Sequence, residues 1–183
     1  MRDRMARLTL AIVAAALAAG AACAGEPYGI GRKATPQEIA GWDIDVLPNG
    51  AGLPSGSGDA RQGEAIFAKK CASCHGARGE GKPMDRLVGG VGTLRDKKPE
   101  KTVGSFWPYA TTLFDYVRRA MPLNAPQSLT PDQVYAVSAY VLFLNGIVPQ
   151  DTALDQNSLA KINMPNRSGF VSAYPALTAG ADP

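Results

Sequence analysis

The chain contains one C-x-x-C-H pentapeptide, formed by Cys71, Ala72, Ser73, Cys74 and His75. Two thiols three positions apart can each bond one vinyl group of the same porphyrin, and this spacing is the attachment signal for a c-type haem. The next residue is then held under the iron, where an imidazole is a suitable axial ligand. The sequence therefore predicts one covalent haem c, attached to Cys71 and Cys74 and ligated by His75.

Two other uses of a C-x-x-C pair fit this chain poorly. A structural zinc site needs about four ligands, but outside the pentapeptide the chain has no histidine and one other cysteine, Cys23. A thioredoxin-like redox pair requires a surrounding βαβ pattern, and the sequence around Cys71 shows none. Haem attachment is therefore the preferred interpretation.

Residues 1–24 have the organisation of a secretory signal peptide. Three arginines precede a short apolar run, and Ala22-Cys23-Ala24 is a small-residue cleavage site. The run is shorter than the roughly 20 residues that span a bilayer. A lipidated Cys23 is the alternative, which is disfavoured because the residues before it lack the usual leucine. Since c-type attachment takes place outside the cytoplasm, we expect a periplasmic protein with no membrane span in the mature chain.

The net charge limits the kinds of partner that the chain can bind, and the cysteine content limits its disulfides. The net charge is +3, and removal of a leader with three Arg and one Asp would leave +1. This near-neutral balance gives no indication of nucleic acid binding, so any docking charge must be local. The mature chain would keep only Cys71 and Cys74, both used for thioethers, and no structural disulfide is expected in the oxidising compartment.

The mature chain divides into three parts. We predict an N-terminal arm at residues 25–57, a monohaem domain at 58–148 and a C-terminal extension at 149–183. The extension is expected to be irregular, with part of it ordered against the domain. The arm is expected to pack on the domain or on a partner, and the alternative is a flexible remnant of the leader.

Local start signals predict short helices. In the arm, Thr35 is the expected N-cap of one helix and forms a capping box with Glu38. Asp59 begins the helix that runs into the haem motif, and Thr130 begins the last clear helix, with a proline at its first position. Between them, apolar residues at helical spacing predict a helix that ends at Met121. These elements indicate an all-α domain.

Glycine is placed unusually around the haem motif. Gly63, Phe67 and Cys71 lie on one face of the first domain helix, and a glycine there indicates that another helix comes close. Six further glycines follow between residues 76 and 92. No G-K-[ST] phosphate motif is present. We therefore predict a loop that wraps closely around the flat porphyrin, where a Cβ atom would collide.

The sixth iron ligand must come from another residue type, because His75 is the only histidine. Lysine and tyrosine ligands are uncommon, and three methionines of the mature chain remain. Met84 lies on the loop that leaves the proximal side, and Met164 lies beyond the last helix. Met121 follows a helix and precedes a proline, with enough chain from His75 to pass round the haem. We predict His75/Met121 ligation, with Met164 second; the alternative for any methionine is core packing.

These features resemble the class I cytochrome c family over about residues 58–147. Gly63 and Phe67 before the motif, Met121 followed by proline, and Tyr140 in the closing helix carry the resemblance. It implies an all-α class I cytochrome c fold, in which the N- and C-terminal helices cross around one covalently bound haem. Gly63 and Phe67 would meet Tyr140 at that crossing, with irregular extensions at both ends of the domain.

A closer resemblance extends into the arm and the extension. Four stretches are similar to the cytochrome subunit of the Sox sulfane dehydrogenase and to the cytochrome partners of periplasmic molybdenum sulfite dehydrogenases. They are residues 41–46 (GWDIDV), 102–112 (TVGSFWPYATT), 115–122 (DYVRRAMP) and 164–167 (MPNR). The resemblance implies a molybdenum-cofactor partner that oxidises sulfite or a bound sulfane sulfur. The chain departs from the sulfane dehydrogenase cytochromes, which usually carry a second haem domain.

Two groups of residues have secondary roles as hypotheses. Trp107 and Tyr109 are polar-tipped aromatics that could donate N–H and O–H to the haem propionates, and core packing is the alternative. Lys69 and Lys70, together with Arg118 and Arg119, flank the ligand-bearing segments and could steer an acidic partner. Plain solvation of these four charges is the alternative.

The sequence thus predicts an electron-transfer protein rather than an enzyme. It would accept single electrons from a molybdenum sulfite or sulfane dehydrogenase during sulfur-compound oxidation and pass them to a downstream cytochrome or oxidase. The first alternative is a general periplasmic shuttle to a terminal oxidase, which needs neither arm nor extension. The second is a haem enzyme with a displaceable sixth ligand, against which Met121 argues.

Overall fold

The computed structural model describes residues 30–173. The predicted signal peptide and Cys23 lie outside these residues, as do the start of the predicted arm and the end of the predicted extension. The chain divides into two compact units, Met1–Ala40 and Gly41–Pro183. Their described parts are residues 30–40 and 41–173, and the candidate haem residues all belong to the second unit.

The described part of the first unit contains the start of helix α1, Pro36–Trp42. Thr35 and Glu38 form the predicted capping box, with the Thr35 N–H donating to Glu38 Oε2 at 2.8 Å and the Glu38 N–H donating to Thr35 Oγ1 at 3.3 Å. The Arg32 guanidinium also pairs with Glu38. This pairing, followed by the bonds from Thr35, lowers the pKa of Glu38 to about 2.

The second unit is helical, as predicted, with one short strand pair. Its helices are α2 (Ala60–Lys70), α3 (Ala72–His75), α4 (Ala110–Ala120) and α5 (Pro131–Leu144), and single 3-10 turns lie at Thr93–Arg95 and Leu159–Lys161. Strands β1 (Ser57–Gly58) and β2 (Leu154–Asp155) pair antiparallel, with Ser57 opposite Asp155. The sequence did not predict this pair. Within residues 30–173, no helix has the length and apolar character needed to cross a membrane.

The two long helices that begin the predicted domain and end it start as predicted. The Asp59 side chain caps α2 by accepting the Gln62 N–H at 2.9 Å. Thr130 caps α5 by accepting the Gln133 N–H at 3.3 Å. In both cases the glutamine side chain accepts the N–H of the capping residue in return, so the first turn of each helix is fixed by residues only three positions apart.

Helix α5 lies at the centre of the second unit, and α2 crosses it closely. Every residue from Val134 to Leu142 is buried. A Cβ atom at Gly63 would collide with the Ala136 carbonyl and would lie 2.8 Å from the Tyr140 Cβ. One turn further along α2, the Phe67 and Tyr140 rings pack at a centroid distance of 5.3 Å. The glycine is therefore needed for the close approach.

Segments on either side of the predicted domain contribute to the same core. Val46 from the arm is 8% exposed, and Leu154, Leu159 and Met164 from the extension are at most 1% exposed. The Tyr135 hydroxyl donates to the Pro54 carbonyl at 2.8 Å. The described parts of the arm and extension within the second unit are thus packed structure rather than loose chain.

The helix crossing makes a testable stability prediction. Gly63→Ala should lower the free energy of unfolding by about 1–3 kcal/mol, because the added methyl group overpacks a backbone contact. Gly41→Ala is the matched control, because Gly41 lies in α1 and a Cβ there would meet nothing within 4 Å. The control should stay within about 0.5 kcal/mol of the parent. Denaturant unfolding measures both, and equal effects would contradict the close crossing.

Candidate functional site

The second unit contains a cavity of about 850 Å³, within the size range of cofactor sites. It is bounded by α2, the C-x-x-C-H motif, the glycine-rich loop, α4, the segment after α4, and α5. Its apolar walls include Phe67, Leu113, Val117, Val137 and Val141. The cavity therefore collects side chains from three helices that are far apart in sequence.

The haem motif lies at the end of α2 and brings both thiols and the imidazole to this cavity. The Cys71 N–H donates to the Phe67 carbonyl at 2.8 Å, which continues the helical ladder. The N–H groups of Cys74 and His75 then both donate to the Cys71 carbonyl, at 3.1 and 3.0 Å. Cys71, Cys74 and His75 all line the cavity.

The environment of Cys71 suits an apolar cofactor. Burial, assisted by the nearby Cys74, raises the pKa of the Cys71 thiol to about 11. The thiol is therefore uncharged at neutral pH before any attachment. A thioether carries no charge either, so bonding to a porphyrin leaves the electrostatics of this wall unchanged.

The His75 ring is oriented by the loop that follows it. His75 Nδ1 lies 2.8 Å from the carbonyl oxygen of Asp85. A carbonyl can only accept, so Nδ1 carries a proton and Nε2 is the nitrogen left to bind a metal. A backbone carbonyl on the other ring nitrogen is the usual outer partner of a metal-bound histidine. The imidazole is thus prepared to ligate iron through Nε2.

The glycine-rich loop folds back onto the haem motif. The Gly81 N–H donates to the His75 carbonyl at 2.7 Å, and the Met84 N–H donates to the Cys74 carbonyl at 2.9 Å. Gly79 has a φ of +71°, and a Cβ there would lie 2.7 Å from Val88 Cγ2. Glycine is required at this position both for the backbone conformation and for the close contact. The loop thereby holds Asp85 under the imidazole.

The three candidate methionines lie in different surroundings. Met121 lines the cavity, is half-buried, and caps the end of α4 by donating its N–H to the Val117 carbonyl at 3.1 Å. Met84 also lines the cavity and directly precedes Asp85, whose carbonyl oxygen lies 2.8 Å from His75 Nδ1. Met164 is 1% exposed in the core, and the cavity lining in residues 30–173 does not include it.

The two predicted propionate donors are separated by the fold. Trp107 lines the cavity and packs edge-on against Tyr116 at a centroid distance of 5.9 Å. Tyr109 lies outside the described cavity lining and packs under the Arg167 guanidinium, 4.5 Å from its ring centroid. No spacing or cap pattern indicated this partner, because Arg167 belongs to the irregular extension.

Asn145 is a site-building residue that the sequence indicated only as a helix end. Its Oδ1 accepts the Gly89 N–H at 3.1 Å, and its Nδ2 donates to the carbonyls of Leu87 at 3.2 Å and Val141 at 2.9 Å. Leu87 lines the cavity. Asn145 thus ties the end of α5 to the glycine-rich loop.

Exposed cations surround part of the cavity. Lys69, Lys70 and Lys101 line it, and none of them forms an ion pair within the described part of the chain. Arg118 and Arg119, for which a steering role and plain solvation were both considered, are not among the described lining residues. Arg118 donates to the Ile44 carbonyl at 3.2 Å, and Arg119 pairs with acidic side chains on α4 and in the arm.

The residues present fit a covalently bound haem. Two cysteine thiols, an imidazole whose Nδ1 is already held by a carbonyl, and a thioether sulfur line one cavity of suitable volume. Cys71 and Cys74 would hold the porphyrin, and His75 would hold the iron. Within residues 30–173 no group of three or more His, Cys, Asp or Glu side chains is arranged to bind a metal ion.

Comparisons with known proteins agree with this assignment. The family model for Cytochrome c matches residues 60–145. A chain in the crystal structure of the sulfane dehydrogenase SoxCD from Paracoccus pantotrophus is 42% identical, with a TM-score of 0.76; the match covers 86% of this chain and 80% of that chain. A thiosulfate dehydrogenase from Stutzerimonas stutzeri (strain A1501) is 29% identical over 131 residues. The match covers 71% of this chain and 40% of that protein's length.

The role of Asn145 can be tested by truncation. Asn145→Ala should destabilise the protein by about 1–3 kcal/mol, because it removes three hydrogen bonds and leaves partly buried loop groups unpaired. Asn157→Ala is the matched control, since Asn157 is exposed. Thermal unfolding measures both, and amide exchange at Gly89 should rise only in the Asn145 variant. Unchanged exchange at Gly89 would contradict the proposed tie.

Proposed function

Because this chain belongs to the cytochrome c family, we propose that it carries single electrons from a sulfur-oxidising molybdenum dehydrogenase to a downstream cytochrome or oxidase. The covalently bound haem c supplies reversible one-electron chemistry. The observation that carries the proposal is the extent of the likeness to the SoxCD chain. It covers 86% of this chain, whereas the family model stops at residues 60–145.

The likeness beyond the haem domain favours a dedicated partner over a general shuttle. Val46 from the arm and Met164 from the extension are buried in the core. A shuttle needs neither segment, whereas a subunit that meets one partner can use their outer surfaces. The predicted signal peptide and the need for haem attachment outside the cytoplasm support a periplasmic location for this exchange.

We propose that Met121 is the sixth ligand of the iron. It lines the same cavity as His75, and its backbone is fixed at the end of α4. Met84 directly precedes Asp85, whose carbonyl holds His75 Nδ1, and this short connection to the proximal histidine makes Met84 poorly placed to cross to the opposite side of the haem. A thioether ligand raises the reduction potential and occupies the position that a substrate would need.

A haem enzyme acting on thiosulfate is the second candidate, and the relative from Stutzerimonas stutzeri is the observation in its favour. This chain spans 40% of that protein. Catalysis at the iron would require the sixth position to open. Reduction of the isolated holoprotein by thiosulfate alone would support this candidate.

The exposed lysines around the cavity favour a partner with an acidic docking surface. Lys69, Lys70 and Lys101 are exposed there, while Asp85 is the one carboxylate in the described lining. Arg86 is already paired with Glu100 at 2.8 Å. Unpaired like charges beside a redox centre attract an opposite surface and raise the association rate.

Replacement of the proposed ligand gives a spectroscopic prediction. Met121→Ala should remove the weak far-red absorption band of a methionine–iron bond and lower the reduction potential, because methionine ligation raises it. Met84→Ala is the matched control, since Met84 lines the same cavity on the Asp85 side. Absorption spectroscopy and redox titration measure both variants. Loss of the band in the Met84 variant, with the band retained in the Met121 variant, would contradict the proposal and identify Met84 as the ligand.

Stopped-flow reduction tests the partner. The oxidised holoprotein should be reduced rapidly and saturably by a purified molybdenum sulfite dehydrogenase with sulfite, or by a sulfane dehydrogenase with a sulfane donor. Lys69→Glu combined with Lys70→Glu should slow association about tenfold or more at low ionic strength. The difference should shrink as salt screens the charges. Lys161→Glu, an exposed lysine outside the cavity lining, is the control.

The outcomes separate the candidates. Reduction no faster than that of an unrelated cytochrome c would replace the dedicated partner with the general shuttle. Rapid reduction that does not change with salt or with charge reversal would support the dedicated partner but contradict a docking role for Lys69 and Lys70. Charge reversal is preferred to deletion of the arm, because Val46 is part of the core.

A further inference from the structure

The arm is fastened along the helix that ends at Met121. The Val46 N–H donates to Asp115 Oδ1 at 3.1 Å, and this bond joins residues 69 positions apart. The Arg118 guanidinium donates to the Ile44 carbonyl at 3.2 Å. These contacts lie on α4, so the arm meets the element that presents Met121.

Two more contacts extend this attachment. Thr111 donates its hydroxyl to the Pro48 carbonyl at 3.4 Å, near the start of α4. Arg119 reaches Asp45 at 3.3 Å, near its end. Residues 44–48 therefore run beside most of the helix, and we call them the brace.

Asp115 is the central group of the brace contact. Its side chain is 12% exposed, and a carboxylate so nearly buried must be fully paired to be tolerated. One oxygen accepts the Val46 N–H, and the other pairs with the guanidinium of Arg119 one turn later. Arg119 in turn reaches the brace at Asp45. The carboxylate thus joins the last two turns of α4 to the brace through both oxygens.

Three other residues of α4 line the haem cavity. Leu113, Tyr116 and Val117 line the cavity, while Asp115 and Arg119 meet the brace. Met121 follows at the C-terminal cap of α4, with its N–H held by the Val117 carbonyl. Any loosening of the last turn therefore moves the Met121 backbone.

We propose that Asp115 is a positioning residue for Met121, which keeps the sixth ligand in place by clamping the last turns of α4 to the brace. The inference rests on the proposed ligation of the iron by Met121. Without the clamp, the end of α4 samples looser conformations in which the thioether is displaced. A ligand from solution then binds at a rate set by the fraction of displaced molecules.

The test uses the full holoprotein and cyanide as the probe. Asp115→Ala should raise the rate of cyanide binding to the oxidised protein at neutral pH about tenfold or more, because it removes a charge-assisted pair and a buried acceptor. Asp115→Asn should lie between this variant and the parent, since its Oδ1 can still accept the Val46 N–H. Amide exchange at Met121 should rise in the same order.

A matched control separates positioning from stability. Asp132 also accepts a backbone N–H from the preceding part of the chain, that of Ser57 at 2.8 Å, but it lies at the start of α5. Asp132→Ala should lower the melting temperature and leave the cyanide rate unchanged. If Asp115→Ala fails to fold, Arg119→Ala replaces it, because Arg119 is half-exposed; Arg119→Lys should then restore part of the slow rate.

Met121→Ala distinguishes the two proposals. A parental cyanide rate in the Asp115 and Arg119 variants, with a fast rate in Met121→Ala, overturns the positioning role and keeps the ligand. A parental rate in Met121→Ala overturns the ligation itself. An equal rise in the Asp132 control shows general destabilisation and also overturns the positioning role.

Discussion

The close crossing of α2 and α5 at Gly63 is the contact on which the rest of the second unit depends. The backbone carbonyl of Ala136 occupies the space that a side chain at Gly63 would need. Cys71 lies on the same face of α2, two turns further along, so the crossing also sets where the haem thiols meet Val137 and Val141 of α5. A wider crossing would separate the attachment site from one wall of its own cavity, and stability and cofactor binding are therefore coupled at one residue.

Residue spacing predicts only what is local in the chain. The caps at Asp59 and Thr130 depend on partners three residues away, and both were predicted. The haem motif is equally local. The strand pair of Ser57 with Asp155 and the bonds of Asn145 to the glycine-rich loop were not predicted, because their partners are far apart in sequence. No periodicity or cap signal encodes which distant carbonyl an asparagine will meet.

The charged residues of α4 show the same limit. A rim role for Arg118 and Arg119 was a reasonable hypothesis from their position beside Met121, yet both bind the arm. A guanidinium can reach solvent, a partner protein or a backbone carbonyl with equal ease, and the choice is made by tertiary packing. The burial of Val46 brings its N–H to the Asp115 carboxylate, and this places the arm beside α4, where Arg118 and Arg119 reach it.

The way the segments carrying the two proposed iron ligands, His75 and Met121, are held favours electron transfer over catalysis. The His75 ring is fixed by the Asp85 carbonyl, and the Met121 backbone is fixed by the Val117 carbonyl and, through α4, by the brace. An iron whose ligands keep their places in both oxidation states exchanges an electron with little rearrangement. A catalytic haem needs the opposite, an exchangeable sixth position. The arm would then serve the carrier in two ways, because its inner side restrains α4, which ends at the proposed ligand Met121, while its outer side remains available to a partner.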